Sequence, residues 1–136
     1  MSKYRTDETE FSCQEHLVKA LADQGYTTVE VHEQAQHLYG YHGDVRPEVA
    51  HIIVRRKFVG HAANDLGFVR GENGKYQAII SAYDRGKHNA AWMENLKASY
   101  GESAVIQQAA KQGLRFVGRE KQGERIQLRF AKLGGK

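Results

Sequence analysis

The dipeptide Asn73-Gly74, which lies between two short apolar segments, constrains the fold of this chain more than any other feature. Asn and Gly both adopt positive φ readily, so the pair favours the tight turn that joins antiparallel strands. The flanking segments 66–71 and 76–81 are rich in aliphatic and aromatic residues, as strands are. We therefore predict an antiparallel hairpin at this point, and the fold must contain a sheet around it.

Apolar residues with helical spacing are found on both sides of this hairpin. Ser12 and Glu15 form the capping-box pattern, which predicts a helix that starts there and ends at Gly25. Two more stretches with helical spacing, one on either side of Gly101, predict a second and a third helix. We expect Gly101 to separate them because glycine is a poor helix former.

The remaining segments alternate between apolar and polar residues, as half-buried strands do. The pattern predicts an α+β fold, an antiparallel sheet with about three helices packed on one face. Residues 17–26 resemble residues 105–114, and two predicted strands follow each, so the fold could contain a duplicated helix-strand-strand unit on a shared sheet. Residues 1–131 are predicted to form a single domain and residues 132–136 a flexible tail. The predicted strands lie within 3–11 and at 29–32, 37–41, 50–58, 66–71, 76–81, 114–119 and 125–130.

Composition narrows the class of protein. The 136 residues are 40% hydrophobic and 26% charged, which is typical of a globular domain and not of a disordered or fibrous chain. Cys13 is the one cysteine, which excludes an intramolecular disulfide and a thiolate-rich metal site. The acidic N-terminal residues do not resemble a signal peptide, and no apolar run approaches the ~18 residues of a membrane span. We therefore predict a cytoplasmic protein with no membrane partner.

Charge is distributed unevenly along the chain. Residues 1–50 carry 4 basic and 9 acidic side chains, a net charge of −5, whereas residues 51–136 carry 16 basic and 7 acidic side chains, a net charge of +9. The formal net charge of +4 therefore hides a strong asymmetry. Such an asymmetry favours association with a partner of opposite charge.

A segment rich in tyrosine and arginine is the leading candidate for a binding surface. Tyr39, Tyr41 and Arg46 lie close together, and Arg55 and Arg56 follow in a predicted strand. Tyr and Arg are enriched at protein interfaces because they combine a large contact area with directional hydrogen bonds. These five residues are predicted to bind a protein partner, although the two tyrosines could instead simply cover one face of a sheet.

Four arginines of the last two predicted strands form a second candidate surface. Arg115 and Arg119 alternate with apolar residues on one strand, and Arg125 and Arg129 do so on the other. Strict alternation would place all four on the outer face, where they could bind the phosphates of a nucleic acid. A solvated basic face or an acidic protein partner would give the same pattern.

Seven histidines raise the question of a metal site, because neutral imidazole is a common metal ligand. His37, His42, His51 and Asp65 could converge in the fold. However, His32 and His37 are one residue too far apart for the helical HExxH motif. The sequence contains neither the GxSxG motif of serine hydrolases nor a phosphate-binding loop. We therefore expect no cofactor, and we favour a protein that is not an enzyme.

Three segments carry a resemblance to a known family. LYGYHGDVRPEVAHIIVRRKFVG (38–60), NDLGFVR (64–70) and NGKYQAIISAYD (73–84) resemble a small bacterial and phage family of unknown function. That family includes the plastid and cyanobacterial proteins called conserved chloroplast reading frame thirty-five. Its genes often lie near an AAA-type ATPase, so the resemblance implies an ATPase as a possible protein partner and implies no catalytic residues.

The leading hypothesis is a non-catalytic accessory protein that binds a protein partner. The first alternative is a nucleic-acid-binding module that uses the C-terminal basic hairpin. The second alternative is a histidine-dependent metal enzyme.

Overall fold

The computed structural model describes residues 3–123 and 125–132. Its contacts divide the chain into two compact units, residues 1–100 and residues 101–136, and each unit is described by itself below. The single domain expected over residues 1–131 stays a prediction. Of the predicted tail, residues 133–136 lie outside the described residues, whereas Lys132 is the last residue of a strand.

Over this described part of the chain the architecture is α+β, as predicted, with three helices, a five-stranded antiparallel sheet and a separate two-stranded sheet. Within the described residues, no helix is long and apolar enough to cross a membrane. The cytoplasmic location stays a prediction. The elements are, in chain order, β1 (Tyr4–Glu8), α1 (Gln14–Asp23), β2 (Glu30–Tyr39), β3 (Val45–Val54), α2 (Arg56–Val59), β4 (Leu66–Arg70), β5 (Tyr76–Ser81), a 3₁₀ turn (Ala82–Asp84), α3 (Ala90–Lys111), β6 (Leu114–Gln122) and β7 (Arg125–Lys132).

The predicted hairpin at Asn73-Gly74 is confirmed and lies at the centre of the larger sheet. β4 and β5 pair antiparallel on either side of it, and Gly74 has a φ of 80°. The strands are arranged in the order β1-β5-β4-β3-β2, and every neighbouring pair is antiparallel. This hairpin therefore contributes two of the three inner strands.

One face of the five-stranded sheet packs on α1 and on the first half of α3. The side chains of this larger core come from both helices, from α2 and from the three strands β3, β4 and β5. Trp92, Met93 and Tyr100 of α3 are partly buried against it. The buried members are Phe11, Leu17, Ala20, Leu21, Tyr26, Ile52, Val54, Val59, Ala63, Leu66, Phe68, Tyr76, Ala78, Ile80 and Leu96.

The far half of the β2–β3 hairpin bends back over the other face of the sheet. Its register shifts twice, between Val31 and Gln36 and between His37 and Tyr39. Pro47 lies opposite the second shift, the kind of irregular position that a strand proline tolerates. The bend buries a second cluster of Leu38, Ala50, Ile53 and Ile79. It also brings the guanidinium carbon of Arg46 in β3 to 5.7 Å from the centre of the Tyr4 ring in β1, the strand at the opposite edge of the sheet.

The capping box predicted at the start of α1 is not formed. Cys13 is the N-cap residue, and its side chain makes no capping hydrogen bond. The backbone N–H groups of Ser12 and Cys13 donate instead to the hydroxyl of Tyr100, at 3.0 and 2.9 Å. A distant side chain from α3 thus replaces the local capping box of Ser12 and Glu15.

The predicted break at Gly101 is also wrong, because α3 runs through it without interruption. A glycine inside a helix costs only ~1 kcal/mol relative to alanine, which the packing of the flanking residues outweighs. The third helix is instead α2, one turn at Arg56–Val59, where a strand was expected. Likewise, the two strands expected between residues 29 and 41 form the single strand β2.

In the second unit, β6 and β7 pair antiparallel and form their own sheet. The order helix, strand, strand therefore does occur twice, and Gly25 and Gly113 both have positive φ where the two helices end. Among the described strands, β6 and β7 pair with each other and with no strand of the larger sheet, so the shared sheet of a duplicated unit is not formed.

Candidate functional site

Asp65 ties the tip of the β2–β3 hairpin to the sheet. Its buried carboxylate accepts hydrogen bonds from the backbone N–H groups of Tyr39 (2.7 Å) and Arg56 (2.6 Å) and from Arg55 Nη1 (2.7 Å). Its own backbone N–H donates to the Tyr39 carbonyl, and its carbonyl accepts from the Tyr4 hydroxyl. Asp65 is therefore a structural residue that fixes the position of Tyr39.

Arg55 is committed to contacts inside the chain. Its Nε and Nη2 donate to the two carboxylate oxygens of Glu30, both at 2.9 Å, and its Nη1 also donates to the His37 carbonyl at 3.1 Å. Its guanidinium carbon lies 4.7 Å from the centre of the Tyr39 ring. Burial opposes its charge, yet the hydrogen bonds to Glu30 and Asp65 hold the pKa of Arg55 above its ordinary value. Four of its five N–H groups are thus already used, which leaves Arg55 little capacity to bind a partner.

Asn64 attaches the same hairpin tip to the segment after β5. Its Oδ1 accepts from the backbone N–H of Tyr41 at 2.7 Å, and its Nδ2 donates to Ser81 Oγ at 2.9 Å. Its backbone N–H donates to Asp84 Oδ2 at 3.0 Å. Asn64, Ser81 and Asp84 are all buried, so these bonds are shielded from water. They hold the backbone of Tyr41 in one place.

The hairpin tip itself is a tight loop that depends on glycine. Gly40 and Asp44 are joined by a backbone hydrogen bond of 2.9 Å, and Gly43 has a φ of 78°. A Cβ on Gly40 would lie 2.6 Å from Asp44 Oδ1, so a side chain there would displace the carboxylate. The hydrogen bond from its own backbone N–H and the ion pair with Arg46 lower the pKa of Asp44. The loop therefore presents a charged carboxylate at a fixed place.

A half-open pocket of about 520 Å³ lies between this tip, the loop before β4 and the 3₁₀ turn; we call it the hairpin-tip pocket. Tyr41 and Tyr83 are its aromatic residues, with exposed fractions of 45% and 64%. Tyr41 also contacts His42, with ring centres 4.7 Å apart. The pocket thus combines open aromatic surface with a few polar groups. Its lining residues are Tyr41, His42, Asp44, Arg46, Ala62, Asn64 and Tyr83.

Two smaller depressions adjoin the same loops. One, of about 280 Å³, is lined by Tyr39 and by the basic residues Arg55, Arg56 and Lys57, and we call it the basic depression. The other, of about 260 Å³, shares Ala62 and Tyr83 with the hairpin-tip pocket and includes Lys87. Of the five residues predicted to bind a partner, Tyr41 and Arg46 line the hairpin-tip pocket and Tyr39, Arg55 and Arg56 line the basic depression.

The four proposed metal ligands do not form a metal site. Among residues 3–123 and 125–132, no three side chains of His, Cys, Asp or Glu are placed to hold an ion. His37 donates from Nδ1 to the Arg46 carbonyl, and His51 Nδ1 accepts from the backbone N–H of Arg70. His42 lines the hairpin-tip pocket, and Asp65 is buried beneath the hairpin. The described residues therefore do not show the convergence that a metal site would need.

Comparison with known proteins places the chain in a family. A family model described as "Protein of unknown function (DUF1257)" matches residues 15–129. The chain belongs to the DUF1257 family. No curated protein and no solved structure matches it. The resemblance seen in the sequence is therefore confirmed at the level of a family of unknown function.

The basic hairpin of this DUF1257 protein differs from the sequence prediction at one arginine. Phe116 pairs with Phe130, but Gly118 pairs with Arg129, so Val117 is an extra residue that forms a β-bulge. A bulge reverses the alternation of faces beyond it. The prediction that all four arginines share a face is therefore wrong. Arg115, Arg125 and Arg129 lie on one face, and Arg119 lies on the other.

Arg119 therefore makes contacts within the second unit. It forms an ion pair with Glu102 of α3, and its guanidinium carbon lies 5.5 Å from the centre of the Phe116 ring. All four arginines are exposed, but only the three on the common face are arranged as the sequence predicted.

Three residues of this DUF1257 site were not identified in the sequence. Asn64 and Asp84 act through bonds to residues at least 17 positions away, and no pattern in the sequence distinguishes Tyr83. The NDLGF motif of the family resemblance contains Asn64, but nothing local indicates its partners. Only the fold of the hairpin over the sheet brings these residues to Tyr41.

Proposed function

We propose that this DUF1257 protein is an accessory protein that binds a segment of a protein partner in the hairpin-tip pocket. One observation carries the proposal: Tyr41 and Tyr83 expose large aromatic surfaces at a concave site whose walls are fixed by buried hydrogen bonds. Aromatic residues in such settings supply much of the binding energy of protein interfaces.

Rigidity of the pocket supports binding. The backbone of Tyr41 is fixed by Asn64, and Tyr39 is fixed by Asp65 and Arg55. A partner would therefore order few groups of this chain when it binds, which lowers the entropic cost of association. In this proposal Arg55 and Asp65 position the surface, while Tyr41 and Tyr83 make the contacts.

Affinity capture from the native host with paired variants tests the proposal. Tyr41→Ala/Tyr83→Ala removes the aromatic contacts without touching the buried hydrogen bonds of Asn64, because the bond from Tyr41 uses its backbone. We expect a specific set of proteins to be captured by the unmodified chain and lost with this variant. Quantitative mass spectrometry of the captured proteins provides the measurement.

Val105→Ala/Ile126→Ala is the matched control. These two side chains are also apolar and exposed, at 48% and 55%, but they belong to the second unit. The control should capture the same proteins as the unmodified chain. If the tyrosine variant captures them equally well, the hairpin-tip pocket does not bind the partner. Arg55→Glu is unsuitable as a variant because it would leave Glu30 and Asp65 without their cation.

Two finer predictions belong to this proposal. An AAA-type ATPase is the partner that the family resemblance implies, and kinship with the chloroplast reading frame thirty-five proteins is part of the same resemblance. Both predictions rest on the sequence motifs alone.

A nucleic-acid-binding role is the second candidate, favoured by the three exposed arginines on one face of β6–β7. Phosphate binding there would weaken steeply with salt, and Arg115→Glu/Arg129→Glu should abolish retention on single-stranded DNA. A flat salt response would exclude this role.

A further inference from the structure

Among the described residues, basic side chains without acidic partners lie around the two depressions that adjoin the hairpin-tip pocket. Arg56 and Lys57 line the depression beside Tyr39, and Arg85 is exposed two residues after Tyr83. Across residues 3–123 and 125–132, none of these three cations forms an ion pair. Lys87 donates to the carbonyl of Val59, which leaves its charge uncompensated.

The acidic residues of the same loops do not neutralise these cations. Asp65 and Asp84 are buried and accept bonds from groups inside the chain. Asp44 forms an ion pair with Arg46. Outside the pair of Asp44 and Arg46, the solvent-exposed charge of the adjoining depressions is therefore positive, and positive charge attracts an anionic ligand.

We propose that the segment that binds here is acidic, with an apolar or aromatic side chain in the hairpin-tip pocket and flanking carboxylates on Arg56, Lys57 and Arg85. This inference rests on the proposed function and specifies the chemistry of the partner. The two types of contact are complementary: the exposed faces of Tyr41 and Tyr83 bind the apolar side chain, while the cations orient and select the segment.

A peptide fits these observations better than a single-stranded nucleic acid does. Tyr41 and Tyr83 expose aromatic faces on which bases could also stack, so charge separates the two ligands. Residues 1–100 carry 12 basic and 13 acidic side chains. A long polyanion would therefore meet a net charge of −1 on this unit, whereas a short acidic peptide meets only the local cations.

A random dodecapeptide display library, selected on the full chain, tests the inference without assuming a partner. We expect the recovered peptides to be enriched in Asp and Glu around a hydrophobic residue. The most abundant peptide is then synthesised with a fluorescent label, and its affinity is measured by anisotropy. A twelve-residue oligothymidylate is measured at the same ionic strength.

Lys57→Glu/Arg85→Glu should weaken binding of the acidic peptide by about tenfold or more. It reverses the exposed charge of Lys57, which lines one depression, and that of Arg85, which lies between two lining residues of the other. Lys19→Glu/Lys97→Glu makes the same change of net charge on exposed positions of α1 and α3 and should leave the affinity unchanged. Neither variant alters a buried side chain, so both are expected to fold.

Each other result overturns the inference. Recovered peptides without an excess of acidic residues, or equal binding to both charge variants, would show that the partner is not acidic. If those peptides still require Tyr41 and Tyr83, the proposed function stands. Failure to recover any peptide that requires these tyrosines counts against both proposals. Tighter binding of the oligothymidylate, lost in Lys57→Glu/Arg85→Glu, would assign the site to nucleic acid.

Discussion

At the scale of single residues, His88 is a buried group whose ionisation affects stability. It is 1% exposed, its Nε2 is hydrogen-bonded to the Tyr26 hydroxyl at 2.7 Å, and its ring centre lies 4.6 Å from that of Trp92. Burial, assisted by the charge of Lys87, lowers the pKa of His88 to about 4. The folded chain therefore holds this histidine neutral.

This pKa makes stability fall as the pH falls. In the unfolded chain His88 takes up a proton below its ordinary pKa of about 6.5, whereas the folded chain resists protonation down to a pH of about 4. His88 therefore leaves the free energy of unfolding undiminished above pH 6.5 and lowers it as the pH falls from 6.5 to about 4. We expect the free energy of unfolding to drop by about 2 kcal/mol through this group between pH 7.5 and pH 5. Urea unfolding at several pH values measures the slope.

His88→Gln is the diagnostic variant, because glutamine can still hydrogen-bond to Tyr26 but does not titrate. It should be less stable at neutral pH and should have a shallower slope than the unmodified chain. The exposed loop residue His61 provides the control, and His61→Gln should keep the original slope. Parallel slopes for all three proteins would mean that His88 is protonated equally in the folded and unfolded states.

At the scale of elements, two glycines with opposite surroundings test how the hairpin covers the sheet. A Cβ on Gly67 of β4 would lie 2.7 Å from Ala50 Cβ and 2.9 Å from Leu38 Cδ2, both in the bent part of the β2–β3 hairpin. A Cβ on Gly101 of α3 would meet nothing within 4 Å. Gly67 thus permits a close approach between layers, whereas Gly101 has no such role.

Gly67→Ala should destabilise the protein by about 1–3 kcal/mol, because the added methyl group pushes the hairpin away from the sheet. Gly101→Ala should stabilise it by up to about 1 kcal/mol, because alanine is the better helix former. Denaturant midpoints of the two variants provide the comparison. A shift in the same direction for both would contradict the packing described for Leu38 and Ala50.

The same elements show what can be predicted from the sequence. Local signals sufficed where local chemistry decides the structure: Asn73-Gly74 predicted its hairpin, and Gly25 predicted the end of α1. The bend of β2–β3 could not be predicted, because it depends on contacts between Leu38 and β4, far apart in the sequence. The bulge at Val117 has only a weak local marker, the isolated glycine Gly118 beside it, and it alone moved Arg119 to the other face.

The candidate site follows the same division. Tyr41 and Arg46 could be selected from residue type, because tyrosine and arginine are common in interfaces. The functions of Arg55 and Asp65 could not, because an arginine that binds a partner and one that binds Glu30 look alike in a sequence. Only the fold separates the residues that make contacts from those that position them.

At the scale of the whole molecule, the two units differ in both charge and core. Residues 101–136 carry 8 basic and 3 acidic side chains, a net charge of +5, against −1 for residues 1–100. The asymmetry seen along the sequence is thus concentrated in the second unit. Both hydrophobic clusters, in contrast, consist entirely of residues from the first unit. Hydrophobic burial is the main source of folding stability, so we expect the first unit to fold by itself.

A chain that ends after Gly113 tests this division, because it keeps α3 whole and removes only β6 and β7. We expect it to unfold cooperatively, with the fluorescence of Trp92 reporting the same core as in the full chain. Leu96→Ala in the shortened chain is the control for a genuine core: Leu96 is fully buried, and its truncation should cost about 2–5 kcal/mol. A shortened chain that unfolds gradually and is insensitive to Leu96→Ala would show that the first unit depends on the second. Cooperative unfolding would instead leave the basic second unit available for a separate interaction, because the larger core does not need it.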